Sequence, residues 1–504
     1  YCESNDSIAA ATVLRTTDAA LENLNLHTAN DTDFFTFNAL SSGRFDNFAR
    51  IAYDSLLGDL RIALLDQSGN EIRVSNQTDV GYDSVALDGL TVGQQYYLRV
   101  DSASGLPISD YDFTLNAPVA PITSSSPADA WTVLVYMAAD NDLETYGIAD
   151  INEMESVLLS DSVNVVVQMD RNPIYNNSNG NWTDTRRGQI QYDAHPRNIN
   201  WEAFDVLGET NTGAQNSLTD FINWGVNTYA ASNYALVIWD HGGGLAGAAW
   251  DQTNGNDNLS LSEINAAISA STVGESLKVV GFDACLMSMA EVAADLPYAD
   301  YLVASQQVEP GDGWDYQRFL DALRLNPSLS AADLSAAVVD GYGAFYNDRQ
   351  TLSSVDLLAF DGLQSAIDAF ALAATSASTT AADWRVISQA RDAAAVHDDS
   401  FENDRDLGSF MAAIAQNTTI NQTIRAAATA VITQLTNAVT STVGPQAFSG
   451  LGIYLPAAGS SVGSFYNSAL SLSDAWLNFV TELASQARTS TCLLYTSPSP
   501  RDAT

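Results

Sequence analysis

The sequence predicts two domains, an all-β sandwich followed by a larger α/β domain with a mostly parallel sheet flanked by helices. Three observations lead to this prediction. The chain has 504 residues, which is too many for one ordinary hydrophobic core. Short strand-like segments fill residues 1–116, whereas long apolar runs alternate with helical patterns over residues 130–490. A stretch rich in proline and serine, residues 117–129, lies between them and is typical of a linker.

The first domain is predicted from short apolar or alternating segments that turn residues separate. Such spacing, with glycine, asparagine and aspartate between the segments, favours a β-sandwich. The segments are 34–37, 48–53, 60–65, 71–74, 84–87, 96–100 and 111–115.

The second domain is predicted from apolar runs that do not alternate, as in strands buried on both faces of a parallel sheet. These runs are 132–137, 163–169, 235–239, 278–282 and the shorter 301–304. Helical patterns lie between them at 143–158, 217–229 and 261–268, and Ser260 with Glu263 forms a candidate capping box for the last. Residues 330–490 read as alanine-rich helices with one strand-like run, 451–455.

The charge of the chain excludes some partners. The 61 acidic residues against 20 basic ones give a net charge of −41, which repels phosphate backbones and anionic lipids. We therefore expect no nucleic-acid partner. No apolar run is long enough to predict a membrane span.

The ends of the chain carry two of its three cysteines. Residues 491–504, with Cys492, resemble a translated sequencing adapter and are set apart from the fold. Tyr1 reads as an interior start, so we expect a signal peptide to precede it. Cys2 fits a lipid-attachment residue less well than a stray thiol near a truncated terminus. Cys2 and Cys285 alone predict neither a disulfide framework nor a zinc site.

Reactive side chains follow three of the predicted strands. Asp140, Asn141 and Asp142 come after the first, His241 and a run of glycines after another, and Cys285 after a third. Active sites of open α/β sheets form at the carboxyl ends of the strands. The pattern of residues 286–296 predicts a helix, whose dipole would lower the pKa of the Cys285 thiol. A thiolate beside an imidazole predicts nucleophilic attack on an acyl carbon.

Five sequence blocks resemble the clostripain family of cysteine peptidases, which share the caspase-like α/β fold. They are WTVLVYMAADNDLE at 131–144, WDHGGG at 239–244, GFDACLMSMA at 281–290, VASQQVEPGDGW at 303–314 and GLGIYLP at 450–456. The resemblance spans about 130–480. It implies a secreted or cell-surface cysteine endopeptidase that acts on proteins or peptides.

The same resemblance implies roles for single residues. His241 would be the general acid and base, Cys285 the nucleophile, and the backbone N–H groups of Gly242 and Cys285 the oxyanion hole. The substrate pocket would be bordered by Asn141, Asp283, Ser305 and Gln306.

Cleavage after arginine or lysine, for which these enzymes are known, requires an acidic pocket. Gln306 and Gln307 stand where an acid is expected, which leaves Asp283, Glu309 and Asp312 as candidates. Family members can also cut themselves between the histidine and cysteine strands. No arginine or lysine lies between Arg197 and Lys278, so self-cleavage after a basic residue is excluded there.

The N-terminal segment resembles the bacterial pre-peptidase C-terminal (PPC) domain, a jelly-roll-like sandwich found on secreted peptidases. The resemblance is carried by ESNDS at 3–7, NDTDFFTF at 30–37 and GQQYYLRV at 93–100. Its Asp and Asn clusters fit either calcium binding or ordinary turns.

A calcium site is also left open in the second domain. Asp251 and Asp257 flank a glycine in a loop with oxygen ligands at alternate positions, but the usual later glutamate is missing. A surface loop is the favoured interpretation. The chemistry itself requires no cofactor.

Two other functions compete with the peptidase. An esterase is indicated by HGGG at 241–244 and GSSVG at 459–463, but that fold needs a histidine after the serine, and His397 is the last histidine. A catalytically inactive cell-surface binding protein with the same fold is the second alternative, although His241 and Cys285 are both retained.

Overall fold

The computed structural model describes residues 5, 7–14, 19–28, 31–39, 48–53, 58–75, 82–87, 90–91, 94–103, 108–116, 129–193, 198–201, 204–296, 299–376, 378–398, 401–467 and 471–486. The chain divides into two compact units, Tyr1–Pro127 and Ala128–Thr504. Most of the predicted linker, Cys2 and the adapter-like segment lie outside the described residues.

The first unit is made of two sheets, in the orders β1-β3-β8-β5-β6 and β2-β9-β4-β7. Phe35 and Phe113, one from each sheet, stack with ring centroids 4.5 Å apart, so the sheets form a sandwich. The strands are β1 (Thr12–Val13), β2 (Ala19–Leu26), β3 (Thr32–Asn38), β4 (Phe48–Tyr53), β5 (Leu60–Leu65), β6 (Glu71–Val74), β7 (Tyr82–Ala86), β8 (Gln95–Ser102) and β9 (Ile108–Asn116).

The likeness of this unit to the PPC domain stays a prediction. So does its calcium site, because Glu3, Asp6 and Asn30 lie outside the described residues.

The second unit is built on a nine-stranded sheet in the order β13-β12-β11-β10-β14-β17-β18-β19-β21. The five adjacent strands β11, β10, β14, β17 and β18 run parallel to one another. The strands outside them, β12 and β13 on one side and β19 and β21 on the other, pair antiparallel. The strands of this unit are β10 (Asp129–Ala139), β11 (Val163–Arg171), β12 (Thr185–Gln189), β13 (Asp205–Gly208), β14 (Ala231–Trp239), β15 (Ala248–Asp251), β16 (Asp257–Leu259), β17 (Leu277–Asp283), β18 (Tyr301–Ala304), β19 (Leu352–Asp356), β20 (Asp404–Asp406), β21 (Val439–Val443) and β22 (Gly452–Tyr454).

Helices cover both faces of this sheet. Along β10, Leu134, Tyr136 and Ala138 enter one core, and the intervening Val135 and Met137 enter the other. Burial on both faces explains why the central strands are apolar without alternation. The helices are α1 (Glu144–Glu155), α2 (Gln215–Thr228), α3 (Leu261–Ala270), α4 (Ala290–Ala294), α5 (Tyr316–Leu325), α6 (Ala331–Tyr346), α7 (Leu357–Ala374), α8 (Ala381–Ala393), α9 (Leu407–Gln416), α10 (Gln422–Ala438) and α11 (Asp474–Ser485).

The helix α7 alone, among the described residues, is long and apolar enough to cross a membrane. Its residues Leu363, Ile367 and Phe370 are fully buried in the core against the sheet. A helix that contributes to a domain core passes the same length and composition test, so α7 is weak support for a span.

Two expectations about the elements need correction. The region 330–490 contains not one strand-like run but four strands, since β19, β20 and β21 join β22 there. The predicted helix over 286–296 is also wrong, because only α4 forms there. Leu286 has a φ of 68°, in the left-handed region, which ends any right-handed helix at that residue. The predicted capping box of α3, by contrast, is confirmed at Ser260 and Glu263.

Candidate active site

Three neighbouring strands bring the predicted reactive residues to one edge of the sheet. β10, β14 and β17 are adjacent and parallel, so their carboxyl ends lie side by side. Asp142 follows β10, His241 follows β14, and Cys285 follows β17. The predicted edge is therefore assembled as the strand order requires.

Gly242 packs directly against the backbone of Cys285. A Cβ atom added to Gly242 would lie 2.8 Å from the nitrogen of Cys285 and still closer to its carbonyl oxygen. No other residue type fits without moving one of the two loops. This contact fixes the spacing between the segment that carries His241 and the segment that carries Cys285.

The turn after β17 is held in place by hydrogen bonds to the segment that follows β18. Leu286 N–H donates to the carbonyl of Gln307 at 3.1 Å, and Ser288 N–H donates to the carbonyl of Ser305 at 2.8 Å. The backbone after Cys285 is thus bonded to the segment that follows β18 and not to a helix. The predicted effect of a helix dipole on the thiol is wrong for this reason.

The thiol of Cys285 is partly buried, and Glu309 N–H lies 3.3 Å from its Sγ. Burial raises the pKa of the Cys285 thiol above its usual value, whereas hydrogen bonds from the backbone N–H groups of Glu309, Gly242 and Cys285 itself oppose the rise. A thiol with a raised pKa needs a base to become a nucleophile.

His241 lies beside a carboxylate that sequence reasoning did not assign. Its Nε2 is 2.9 Å from Oδ1 of Asp142, and both side chains are partly exposed. Through Nε2, the carboxylate orients the imidazole ring. The sequence did carry a signal for Asp142, because it stands after β10 in one of the three groups of polar residues that follow strands at this edge.

Asn141 joins the loops behind the histidine. Its Nδ2 donates to Oδ1 of Asp240 at 2.7 Å and to the carbonyl of Trp250 at 2.9 Å, and its Oδ1 accepts from Leu143 N–H at 2.9 Å. Asn141 is only 5% exposed. These bonds tie the loop after β10 to the segment that carries His241.

A cleft of about 520 Å³ opens on the histidine side of this edge. Its walls combine aromatic and polar side chains with the glycine-rich segment. The lining residues are Asn141, Asp142, Tyr175, His241, Gly242, Gly243, Ala246, Trp250, Gln252, Asn256 and Phe401.

A buried acidic pair lies next to Cys285. Asp283 accepts hydrogen bonds from Tyr316 Oη at 2.9 Å and from Trp314 N–H at 3.3 Å. Burial raises its pKa to about 6. The carboxyl of Glu309 lies beside it, and burial followed by the charge of Asp283 raises the pKa of Glu309. Both Glu309 oxygens are out of contact with solvent.

Ser305 and Gln306 have partners within the protein. Ser305 Oγ lies 2.9 Å from Thr351 Oγ1. Oε1 of Gln306 accepts from Gly450 N–H at 2.7 Å, and its Nε2 donates to Asp406 at 3.1 Å. Both side chains are 1% exposed. The structure therefore places them in a buried network behind β18.

Asp251 and Asp257 face each other across the β15–β16 hairpin but belong to different clusters. Asp257 accepts from Asn211 Nδ2 at 2.7 Å. Asp251 lies instead with Asp140, Asp170 and Glu209, and one carboxylate oxygen from each of the four is within 4.8 Å of the others. Asp170 and Glu209 were not singled out from the sequence, since neither stands in a recognisable motif.

Comparison with known proteins identifies related chains. The model of the clostripain family matches residues 135–488. Clostripain of Hathewaya histolytica is 29% identical over 232 residues, which are 40% of this chain and 44% of the relative. The chain thus matches less than half the length of that curated relative.

Two solved structures share the fold of the second unit. One is a secreted C11 cysteine protease of Bacteroides thetaiotaomicron in complex with an irreversible peptide inhibitor. It has a TM-score of 0.53 and 19% identity, over 69% of this chain and 99% of that one. The other is an inactive zymogen C11 protease of Parabacteroides distasonis, with a TM-score of 0.50 and 19% identity over 70% and 95% of the two chains.

Proposed function

The chain belongs to the clostripain family of cysteine peptidases, and we propose from this that it is a secreted endopeptidase that cuts after arginine or lysine with Cys285 and His241. The observation that carries the proposal is the contact of Gly242 with Cys285, which holds a histidine and a cysteine at one edge of a caspase-like sheet.

The reaction begins with transfer of the Cys285 thiol proton to His241. The sulfur then attacks the carbonyl carbon of the scissile bond, and the carbonyl oxygen becomes an oxyanion. His241 returns its proton to the leaving amine as the C–N bond breaks, which leaves a thioester on Cys285. His241 next deprotonates a water molecule, whose attack on the thioester releases the acid and restores the thiol.

The backbone N–H groups of Gly242 and Cys285 would stabilise the oxyanion. Both N–H groups belong to the two turns that meet where Gly242 packs against Cys285, beside the sulfur that the attacked carbonyl must reach. Donors that are fixed before the reaction stabilise developing charge without reorganisation. This supports the oxyanion hole that the family resemblance implies.

Specificity for a basic residue is supported by the pair Asp283 and Glu309. Two carboxyl groups beside each other in a buried site repel one another, and no cationic side chain of the described residues offsets them. A guanidinium or ammonium group that entered between them would relieve this repulsion. Asp312 is exposed and less suited to the same role.

Secretion and calcium dependence are part of the same proposal. The protease of B. thetaiotaomicron is described as secreted, and a net charge of −41 suits a protein that works outside the cell. Cell fractionation with an antibody against this chain tests secretion, because a protein confined to the cytosolic fraction contradicts it.

The test of activity uses fluorogenic peptides that differ only at the residue before the scissile bond. We expect arginyl and lysyl peptides to be cut, and the matched peptide with citrulline, which is neutral, to be cut at least about a hundredfold more slowly because it lacks the charge that the buried carboxyls bind. Cys285→Ala removes the nucleophile and should abolish cleavage of every peptide. Cleavage by Cys285→Ala at the rate of the wild-type protein contradicts the proposal.

Glu309→Gln separates the specificity from the chemistry. The variant keeps the shape of the side chain but cannot ionise beside a bound guanidinium, so kcat/KM for the arginyl peptide should fall about tenfold or more. The rate with citrulline should change little. A variant that loses both activities equally would show that Glu309 acts in positioning the thiol, to which its backbone N–H donates.

A further inference from the structure

Three aromatic side chains from separate segments converge on the cleft beside His241. Tyr175 follows β11, Trp250 lies in β15, and Phe401 lies between α8 and β20. We propose that this cleft binds the side chain of the substrate residue that follows the scissile bond, and that it prefers an aromatic residue there. The inference rests on the proposed function and adds a second determinant of specificity, on the leaving side of the bond.

The order of the strands sets the direction in which a substrate crosses the site. His241 follows β14, Cys285 follows β17, and Glu309 follows β18, so Cys285 stands between the histidine and the acidic pair. In the proposed reaction, the residue before the bond reaches the acidic pair and His241 protonates the leaving amine. The two parts of the substrate therefore extend from Cys285 in opposite directions. The leaving part extends toward the side on which the cleft opens.

The cleft is open and large enough for an aromatic side chain. Its volume of about 520 Å³ lies within the range of ligand sites in proteins. Tyr175 is 41% exposed and Phe401 is 37% exposed, so both present apolar surface to solvent at the wall of the cleft. A substrate ring placed against these side chains would remove apolar surface of both partners from water.

Trp250 is held in place relative to His241 before any substrate binds. Its N–H donates to the carboxylate of Asp240, and its carbonyl accepts from Asn141 Nδ2 at 2.9 Å. The ring lies over Gly243, where an added Cβ would be 3.1 Å from it. An aromatic wall that is already ordered binds a substrate ring with little loss of conformational entropy.

The segments that carry the other two rings are also bonded within the protein. Tyr175 Oη donates to Oε1 of Gln252 at 2.8 Å, which ties the segment after β11 to the β15–β16 hairpin. Phe401 N–H donates to the carbonyl of Asp398 at 3.0 Å. The walls of the cleft thus come from three segments, each with its own hydrogen bonds.

The charge of the cleft disfavours an acidic substrate residue. Among the described residues that line it, none is a lysine or an arginine, and Asp142 contributes a carboxylate. Asp142 is paired with His241, so the pair offers no free positive charge to a substrate carboxylate. The net charge of −41 acts in the same direction. We therefore expect an aromatic residue to be preferred over glycine, and glycine over aspartate.

Internally quenched peptides test this preference. They share an arginine before the scissile bond, carry phenylalanine, glycine or aspartate after it, and have donor and quencher well away from both. kcat/KM for the phenylalanine peptide should exceed that for the glycine peptide at least about tenfold, because burial of such a side chain contributes that much or more. The aspartate peptide should be cut more slowly than the glycine peptide. Equal rates with phenylalanine and glycine, or fastest cleavage with aspartate, overturn the inference.

Transfer of the acyl group to an added amine measures the cleft separately from the acyl side. A blocked arginine ethyl ester forms the thioester on Cys285 and releases ethanol. The nitrogen of an amino-acid amide then attacks the thioester carbon, the C–S bond breaks, and His241 passes the amine proton to the sulfur. Phenylalaninamide should form at least about tenfold more transfer product than glycinamide at equal concentrations of free amine. Equal transfer to both amines contradicts a site for the aromatic side chain.

Phe401→Ala and a matched control assign the preference to the cleft. Phe401→Ala should lower the ratio of kcat/KM for phenylalanine to that for glycine at least about fivefold. Phe345→Ala, which removes a ring of similar exposure (41%) from α6, should keep the ratio of the parent. A ratio is insensitive to a general loss of active enzyme, so a folding defect does not imitate the expected result. An unchanged ratio in Phe401→Ala contradicts the assignment.

Failure of this inference can be told from failure of the proposed function. If the wild-type protein cuts neither arginyl nor lysyl peptides, the proposed function is wrong and the inference falls with it. If these peptides are cut without regard to the following residue, the inference alone is wrong. A preference for an aromatic residue before the arginine would place the cleft on the acyl side and would also overturn the inference.

Discussion

At the residue scale, the surroundings of Cys285 and His241 influence the reactivity of both side chains. The Cys285 thiol has a raised pKa because it is partly buried, so the proposed reaction depends on His241 as the base that takes its proton. Asp142 is the group that holds His241 through Nε2. The interaction is partly exposed on both sides, and solvent weakens the contribution of such a pair.

Asp142→Asn should lower kcat about tenfold while KM changes little, because the amide still reaches the ring but no longer stabilises the imidazolium. Stopped-flow and steady-state assays with the arginyl peptide measure both quantities. Asp161→Asn, on an exposed turn just before the amino end of β11, serves as the control for a lost surface charge.

The acidic pair next to Cys285 predicts how arginyl substrates respond to pH. The pKa of Asp283 is raised to about 6, so the group is ionised above that pH and protonated below it. A cationic side chain binds the ionised form. KM for the arginyl peptide should therefore increase as pH falls through about 6.

The citrulline peptide is the control for this pH experiment, because its neutral side chain does not depend on the charge of Asp283. A ratio of arginyl to citrulline kcat/KM that stays constant between pH 5 and pH 8, an interval of about three units around the raised pKa, would contradict the role of this pair.

The site could be predicted from the sequence only where its residues stand at strand ends or in a motif. His241, Cys285 and Gly242 meet this condition, and the structure brings them to one edge. Glu209 and Asp170 do not, because their proximity depends on how β11, β13 and the β15–β16 hairpin are placed in three dimensions. No spacing in the sequence carries that information.

At the scale of elements, the relative position of His241 and Cys285 depends on the close approach of two turns. The turn after β14 touches the turn after β17 at Gly242, where a side chain would collide with backbone atoms of Cys285. Backbone atoms cannot move away from an added side chain as easily as the end of a flexible side chain can.

Gly242→Ala should thus lower kcat/KM by at least about a hundredfold, since a displacement of about 1 Å near the chemistry has that effect. Far-ultraviolet circular dichroism should remain that of the parent. Gly341→Ala, in α6, is the matched control, because its added Cβ meets only side-chain atoms of Arg318 in α5, at 3.3 Å or more, and no backbone atom. Equal loss of activity in both variants would point to a general defect in folding.

The elements that sequence reasoning located best are those buried on both faces. β10, β11, β14 and β17 each contain an apolar run that predicted the strand, and β18 matches its prediction in full. β19 and β21 were missed because they are short, rich in serine and threonine, and lie at or next to the edge of the sheet. Ser353, Ser354 and Thr440 form hydrogen bonds there. Leu352 and Val355 of β19 enter the cores, but two apolar residues are too few to form a recognisable run.

The helix expected after Cys285 fails for a related reason. Its apolar residues Leu286, Met287 and Met289 are all buried, so the hydrophobic pattern was real. A left-handed residue and hydrogen bonds to the segment after β18 provide the burial without helical turns. A hydrophobic pattern in the sequence predicts which residues are buried more reliably than it predicts their backbone conformation.

At the scale of the whole molecule, the net charge of −41 affects how substrates arrive. A negative field attracts cationic peptides over a distance that salt shortens. For a peptide with several positive charges, kcat/KM should therefore fall as sodium chloride increases, whereas kcat should stay nearly constant.

A peptide with the same arginine but flanking acidic residues, and no net charge, provides the comparison. Its kcat/KM should depend much less on salt. Identical salt dependence of the two peptides would show that the overall field has no part in association.

Because β14 and β17 are paired in the middle of the sheet, the chain between them can be cut without separating the two strands. The residues between these two strands form the β15–β16 hairpin and α3, and the tip of the hairpin at Gly255 and Asn256 is exposed. A single break there would leave two polypeptides that are still held together by the pairing of β14 with β17. This pairing runs from Ala235 opposite Val279 to Trp239 opposite Asp283. The enzyme could thus exist as a nicked heterodimer, or be rebuilt from two separately made halves, with the cysteine on one and the histidine on the other.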